Sequence, residues 1–372
     1  MKVAILGTRG LPAEYGGFEQ FAQFFSRGLV EKKIDVTVYN PHNHYAETKK
    51  FEGVNIIHKW CPEKSLGPFS HFIYDYLCLK DAIKKDFDII LELGYTSLAP
   101  AFLMLSFNNS KIITNLDGLE EKRSKWNPLI KKIIKLSQKI VCHRSHFLIS
   151  DNEGIQSNIF NEYGKKSKVI PYGANVVNYE NINEQILKQY SIQKNNYFMS
   201  LGRMEPENNL DMMLDGYKKS GSNLKYIVVS NFENKYGKYL MEKYKDCNID
   251  FLGPIYDINT VNSLRYFSKI YFHGHTVGGT NPSLVEAMAA ESLIASHNNI
   301  FNKSVLGDDA LYFNDEKDIS RIINNFDMLS GNKNSYINNN LKKVKEKYTW
   351  DKIINDYFKF IKDIHDESEI IS

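Results

Sequence analysis

The sequence predicts an α/β protein of two doubly wound units, each a mostly parallel sheet covered by helices. Three observations carry this. Short β-rich runs alternate with helical stretches along most of the chain, the pattern of a parallel sheet buried on both faces. The alternation breaks once, at IPYGANVVNYENIN (Ile170–Asn183), where Pro, Gly and Asn interrupt the apolar rhythm, and then restarts. The chain of 372 residues is also too long for one ordinary core and suits two.

Taken in order, Lys2–Leu6 reads as a strand, Gly7–Gly17 as a glycine-rich loop, Phe18–Val30 as a helix and Val36–Tyr39 as a second strand. Further strands are expected at Val54–His58, Asp88–Leu91, Lys111–Asn115 and Phe147–Ser150. After the break they recur at Tyr197–Leu201, Tyr226–Ser230, Asp250–Leu252 and Ile270–His273. Trp350–Ile364 has apolar residues at helical spacing and is expected to pack back toward the N-terminal unit. The expected domains are therefore 1–172, 173–349 and a returning helix in 350–372. Two such units in tandem should face across a cleft, since ligands of doubly wound sheets collect at the carboxyl ends of the strands.

Composition narrows the function. Forty-seven Lys and Arg against 44 Asp and Glu leave a net charge of +3, without the basic excess of a general nucleic-acid binder. Cys61, Cys78, Cys142 and Cys247 are scattered, with no CxxC pair, and read as reduced thiols in a cytoplasmic protein. MKVAILGTRG runs from a strand into a turn and lacks the form of a signal peptide. No run of about 18 uncharged apolar residues is present to span a membrane.

Three loops could hold a phosphate group. In GTRGLPAEYGGFEQF, Gly16 and Gly17 stand directly before a helix, where free N–H groups and the helix dipole favour an anion. The spacing is neither GxGxxG nor GxxxxGK[ST], so a tight structural turn is the alternative, and an NAD-dependent oxidoreductase is disfavoured. In SLGRMEPENNL (Ser200–Leu210), Gly202 allows a turn and Arg203 carries a permanent charge whose fork suits a diphosphate; the alternative is an ion pair with Glu205 or Glu207. In YFHGHTVGGTNPSLVEAMAA (Tyr271–Ala290), Gly278, Gly279, Thr280 and Asn281 precede a helix opened by Pro282, with Asn281 as its cap and Glu286 one turn inside. His273 and His275 lack the further ligands a metal site would need, so no metal is expected. Asp86-Phe87-Asp88 has the letters of a D-x-D motif but stands at the entry of a strand and reads as a strand boundary.

Four segments, GTRGLPAEYGGFE, TNLDGLEEKRSKW, GRMEPENNL and HGHTVGGTNPSLVEAM, together resemble glycosyltransferase family 4, a retaining group with the GT-B fold. They are most similar to its bacterial β-1,4-rhamnosyltransferase-like branch, and the resemblance extends over nearly the whole chain. It implies that Gly16 and Gly17 face a donor diphosphate, that Arg203 neutralises it, and that Glu286 binds the nucleotide ribose as the second Glu of an E-x7-E motif. The loop FLGPIY (Phe251–Tyr256), with Ile255, would receive the base, and Asp117 stands where many relatives carry a histidine beside the reacting sugar. Two positions depart from the wider pattern: Gly278 replaces the first Glu of E-x7-E, and Asn208 replaces a Lys. Loss of a carboxylate that grips sugar hydroxyls fits a 6-deoxy donor such as dTDP-rhamnose.

The expected activity is transfer of a sugar from a nucleotide diphosphate donor to a glycan acceptor, with no cofactor or metal expected. Arg203 and the loop amides would stabilise the departing diphosphate. Asp117, at the carboxyl end of a strand, would position the acceptor hydroxyl, or is a turn aspartate. Arg123 and Trp126 are candidates for an acceptor's diphosphate and sugar face. Residues 122–144 hold eight Lys and Arg and no acidic residue, with Lys131, Lys135 and Lys139 in one stripe and Leu129, Ile133, Leu136 and Ile140 in another. Such a helix rests on an anionic membrane surface, or packs its apolar stripe into the core with a solvated basic face. A lipid-diphosphate-linked sugar at the inner membrane face is the favoured acceptor, in cell-surface polysaccharide synthesis. The alternatives are a nucleotide-sugar epimerase or phosphorylase on the same fold, or a non-catalytic nucleotide-sugar-binding protein.

Overall fold

A computed structural model describes residues 1–13, 16–107 and 109–371. The chain forms two compact units. The first comprises residues 1–122, 126–173 and those from Trp350 onward; the second comprises 123–125 and 174–349.

The first unit is built on eight strands: β1 (Lys2–Leu6), β2 (Asp35–Pro41), β3 (Lys50–Phe51), β4 (Val54–Lys59), β5 (Ile89–Leu93), β6 (Lys111–Leu116), β7 (Phe147–Ser150) and β8 (Lys168–Val169). Their order is β3-β4-β2-β1-β5-β6-β7-β8, parallel throughout except that β3 runs antiparallel to β4. Chain order therefore reverses at β1 and β5, which pair with Val3 opposite Ile89 and Leu6 opposite Glu92. Val3–Leu6 and all of β5 are buried, as a central strand covered on both faces requires. On one face Val3, Ile5, Val36, Val38, Ile89 and Leu91 pack with Phe21, Phe25 and Leu29 of helix Gly17–Glu31. Ile353, Tyr357, Ile361 and Ile364 of helix Trp350–Ile371 complete the same core.

The second unit has six parallel strands: β9 (Tyr197–Leu201), β10 (Lys225–Val229), β11 (Ile249–Leu252), β12 (Ile270–His273), β13 (Ile294–His297) and β14 (Leu311–Phe313). Their order, β11-β10-β9-β12-β13-β14, reverses between β9 and β12. The division between units falls after Gly173 and again before Trp350. There the N–H of Ala174 donates to the carbonyl of Tyr348 at 2.7 Å.

Two parallel-sheet α/β units are what the alternation predicts. The expected strands are present within two residues of their predicted ends, and β3, β8, β13 and β14 are additional. Asp86 and Asp88 serve the entry to β5: Asp86 takes a left-handed turn at φ +54, and an Asp88 oxygen accepts the N–H of Lys2 at 2.6 Å.

The basic segment forms helix Pro128–Arg144, capped by Asn127, whose side chain accepts the N–H of Ile130 at 2.9 Å. Its buried side is Ile134, Ser137, Gln138, Val141 and Cys142, whereas Leu129, Ile133 and Leu136 are exposed. The apolar stripe read from the sequence thus does not enter the core. It faces outward together with Lys132, Lys135 and Lys139.

Candidate functional site

The reversal of strand order in the second unit brings the loops that follow β9 and β12 side by side, the usual place for a ligand of such a sheet. The two loops are fastened to each other. Thr276 donates from its N–H and its hydroxyl to the carbonyl of Glu207, at 3.0 and 2.8 Å. Asn209, held at φ +53, donates its side-chain amide to the carbonyl of Gly274 at 2.9 Å. A Cβ on Gly274 would stand 2.3 Å from the carbonyl oxygen of Asn208, so only glycine permits this approach.

Within the β9 loop, Asn208 is buried and donates its side-chain amide to the carbonyl of Arg203 at 2.8 Å. That bond fixes the loop at the residue whose charge is wanted. Arg203 itself is exposed, and its guanidinium makes no ion pair among the described residues. Glu207, one of the partners considered for it, is instead buried, 3.5 Å from Arg123 and accepting from the Ser124 hydroxyl at 2.8 Å. The structure therefore places Arg123 against the β9 loop. Ile255 lies half-buried in the loop after β11, flanked by exposed Pro254 and Tyr256.

In the β12 loop, Gly278 has φ +139 and nothing within 4 Å of where a Cβ would stand. Gly279 and Thr280 are buried, and Asn281 caps helix Pro282–Ala289 by accepting the N–H and hydroxyl of Ser283, at 3.1 and 2.8 Å. Pro at the first helical position leaves no wasted donor there. Glu286 accepts from Arg265 at 2.7 Å, and Arg265 is completely buried. That pair was not foreseen; 21 residues separate its members, and only the fold joins them. Burial lowers His273 well below the usual histidine range, and His275 is pushed down to about 3 by burial and the Arg203 and Arg123 charges. No cluster of metal-ligating side chains occurs among the described residues.

The first unit carries the other predicted residues. Gly16, at φ +123, caps helix Gly17–Glu31 without a side chain, and a Cβ there would strike Glu19 at 1.9 Å. Glu19 already accepts the N–H of Arg9 at 2.8 Å, so its carboxylate occupies one side of this turn. Gly17 has open space within 4 Å. Glu14 and Tyr15 of the same predicted loop lie outside the described residues. Asp117 is exposed in the loop following β6. Tyr95 pins that loop: its hydroxyl donates to the carbonyl of Gly118 at 3.1 Å and accepts the N–H of Glu120 at 2.9 Å. Trp126 donates its indole N–H to Glu120 at 3.1 Å. Of the two residues read from the sequence as acceptor contacts, Arg123 stands by Glu207 and Trp126 by Glu120. Tyr95 follows a strand and a glycine in ELGYTS, the only sequence signal that could have marked it.

Residues 1–175 match a domain of unknown function, DUF1972, and residues 182–344 match the family of glycosyl transferases group 1. No curated protein sequence matches the chain. Among solved structures, sucrose-phosphate synthase from Thermosynechococcus elongatus superposes with a TM-score of 0.80 at 12% identity, over 98% of each chain. HepE from Anabaena, solved in complex with UDP, gives 0.73 at 15% identity, over 98% of this chain and 100% of that one. Trehalose 6-phosphate synthase from Burkholderia multivorans gives 0.73 at 10% identity, over 100% and 98%. These neighbours show the GT-B fold, two parallel-sheet α/β units, and over residues 182–344 the second unit is similar to the glycosyl transferases of group 1.

Proposed function

We propose that the protein is a retaining glycosyltransferase of the family 4 type, moving rhamnose from dTDP-rhamnose to a lipid-diphosphate-linked glycan in cell-surface polysaccharide synthesis. The observation that carries the donor half of this reading is exposed Arg203, its backbone carbonyl held by Asn208, on a loop fastened through Glu207 and Thr276 to the loop that leads into the capped helix Pro282–Ala289. An exposed guanidinium and the free N–H groups of a helix start are each suited to a diphosphate. HepE, of the same fold, has been solved with UDP and with UDP-glucose, which supports a nucleotide sugar here.

Arg265 holds one oxygen of Glu286, leaving the other to accept from a ribose hydroxyl. Ile255 and its neighbours offer an apolar wall and backbone groups to the base. As the bond from the sugar to the diphosphate breaks, charge grows on the leaving oxygen, and Arg203 and the loop amides stabilise it. The acceptor hydroxyl forms the new bond from the same face, its proton passing to the departing phosphate oxygen. Asp117 orients that hydroxyl, on a loop that Tyr95 keeps in place, and Trp126 offers a face to the acceptor sugar. The group-specific charge for the diphosphate comes from the protein, with no metal required.

Thermal stabilisation across nucleotide sugars tests the donor site. A ligand present at about 100 times its Kd adds about 2.7 kcal/mol. dTDP-rhamnose, or a related dTDP or UDP sugar, is expected to raise the melting temperature, and NAD is not. Arg203→Ala should abolish the shift; a shift that survives it refutes the diphosphate assignment. Labelled donor supplied with a lipid-linked acceptor should then yield glycosylated lipid, whereas an epimerase would isomerise the sugar without acceptor.

A further inference from the structure

The end of β12 and the loop after it carry two imidazoles that the roles above leave unused. The rings of His273 and His275 are stacked, with centroids 4.4 Å apart and planes 9° from parallel. His273 is 1% exposed, and neither of its ring nitrogens has a hydrogen-bond partner; Nδ1 of His275 is likewise buried without one. Buried polar atoms left unpaired in this way are uncommon and call for a reason. With His275 held neutral at physiological pH, one ring nitrogen donates and the other accepts.

The position of His275 is well defined. Its carbonyl accepts from the side chains of Asn299 and Asn302, at 2.9 and 3.0 Å. The edge of the ring lies over Gly202, where a Cβ would stand 3.0 Å from Cε1 and 3.4 Å from Nε2. His275 lines the depression that holds Gly202, Arg203 and Asn208, and also the one that holds Gly278, Gly279 and Asn281. The other polar side chains of the second depression are committed within the protein. Thr276 donates to Glu207, Asn281 caps a helix, and Asn302 donates to the carbonyls of His275 and His297. Among the described residues lining it, the His275 ring remains unspent, and Gly278 leaves open space in the same depression.

We propose that His275 is a donor-binding residue, its neutral imidazole hydrogen-bonding the transferred sugar where that sugar joins the diphosphate, with His273 as the stacked platform that fixes the ring. The inference rests on the nucleotide-sugar reading of this site and adds a contact to it.

The test compares a nucleotide sugar with its bare nucleoside diphosphate: dTDP-rhamnose with dTDP, and UDP-glucose with UDP. Titration calorimetry is run on the full chain, its fold checked by circular dichroism. His275→Ala should weaken the nucleotide sugar about tenfold or more and the nucleoside diphosphate less than about twofold. His275→Asn, which keeps a neutral donor and acceptor, should recover part of the loss, and Arg203→Ala should weaken both ligands alike. If His275→Ala folds and leaves the ratio of the two affinities unchanged, the ring is structural and the inference is overturned, even if the melting temperature falls. If no such ligand binds the wild-type protein, the donor-site reading itself is wrong and the inference falls with it.

Discussion

At the scale of single residues, the first unit buries acidic groups away from any salt bridge. Asp75, on the helix Ser70–Lys84, and Glu92, on β5, are both buried, and neither oxygen of Glu92 has a hydrogen-bond partner among the described residues. Burial pushes Asp75 up to about 6, against the Ser97 hydroxyl that donates to it and the charge of Arg9. Burial and the neighbouring Asp75 raise Glu92 well above the usual range, and Cys78 and Tyr74 on the same helix as Asp75 are raised too. A carboxyl with a folded pKa above its unfolded value binds its proton more tightly in the native state. Its contribution is therefore present below about pH 4 and lost as pH rises through about 6, an effect on the order of 2–3 kcal/mol for Asp75. Asp75→Asn keeps an acceptor for Ser97 and removes the titration. Melting curves between pH 4 and 7 should show wild type losing stability relative to this variant as pH rises. A constant difference across that range would refute the assignment.

At the scale of elements, aromatic stacking joins the first and last long helices of the first unit. Phe24 stacks on Trp350 with centroids 4.6 Å apart, and Phe21 and Phe25 each meet Tyr357, at 5.0 and 4.9 Å. Gly28 lets the helices approach: a Cβ there would stand 2.6 Å from Cγ2 of Ile354. Gly28→Val should therefore cost about 1–3 kcal/mol by overpacking, seen as a lower melting temperature. Ile354→Ala in the same chain should relieve part of that cost, which a double-mutant cycle measures directly. Elements of this kind were largely legible in the sequence. Lys2–Leu6, Phe147–Ser150, Tyr197–Leu201 and Ile270–His273 are β-rich runs with abrupt ends, and the strands occupy those residues. β13 and β14 were not, because IASH and LYF are short and flanked by helical text. The loops after β9 and β12 could be picked out because a strand runs into glycines and a helix cap. What fastens them could not. The Arg265–Glu286 pair, the Thr276–Glu207 bonds and the approach of His275 to Gly202 are tertiary contacts between segments far apart in sequence. The apolar stripe of helix Pro128–Arg144 shows the same limit: periodicity located it but did not say which side faces the core.

At the scale of the whole molecule, a net charge of +3 gives no general attraction to an anionic surface, so any membrane contact must be local. No helix among the described residues is long and apolar enough to cross a bilayer. The helix Pro128–Arg144 provides a local alternative. Leu129, Ile133 and Leu136 are exposed on it, and Leu103 and Met104 are exposed on helix Ala99–Met104, which packs beside it. Arg144 ties the two by donating to the carbonyls of Phe102 and Leu105, both at 3.1 Å. Apolar side chains flanked by Lys131, Lys132 and Lys139 are suited to insertion among headgroups, each basic residue near the surface contributing about 1 kcal/mol. Lys135 is paired with Glu162 at 2.7 Å and contributes less. The expected outcome is sedimentation with phosphatidylglycerol vesicles at low salt, release as salt rises, and no sedimentation with phosphatidylcholine alone. Replacing Lys131, Lys132 and Lys139 by Gln should weaken the partition by about 100-fold, the equivalent of about 3 kcal/mol. Replacing Leu129, Ile133 and Leu136 by Ser should weaken it without changing its salt dependence. Since none of these side chains belongs to the donor site, nucleotide-sugar binding in solution should be unchanged in both variants. Equal sedimentation of wild type and the Gln variant would show that this face does not meet the membrane.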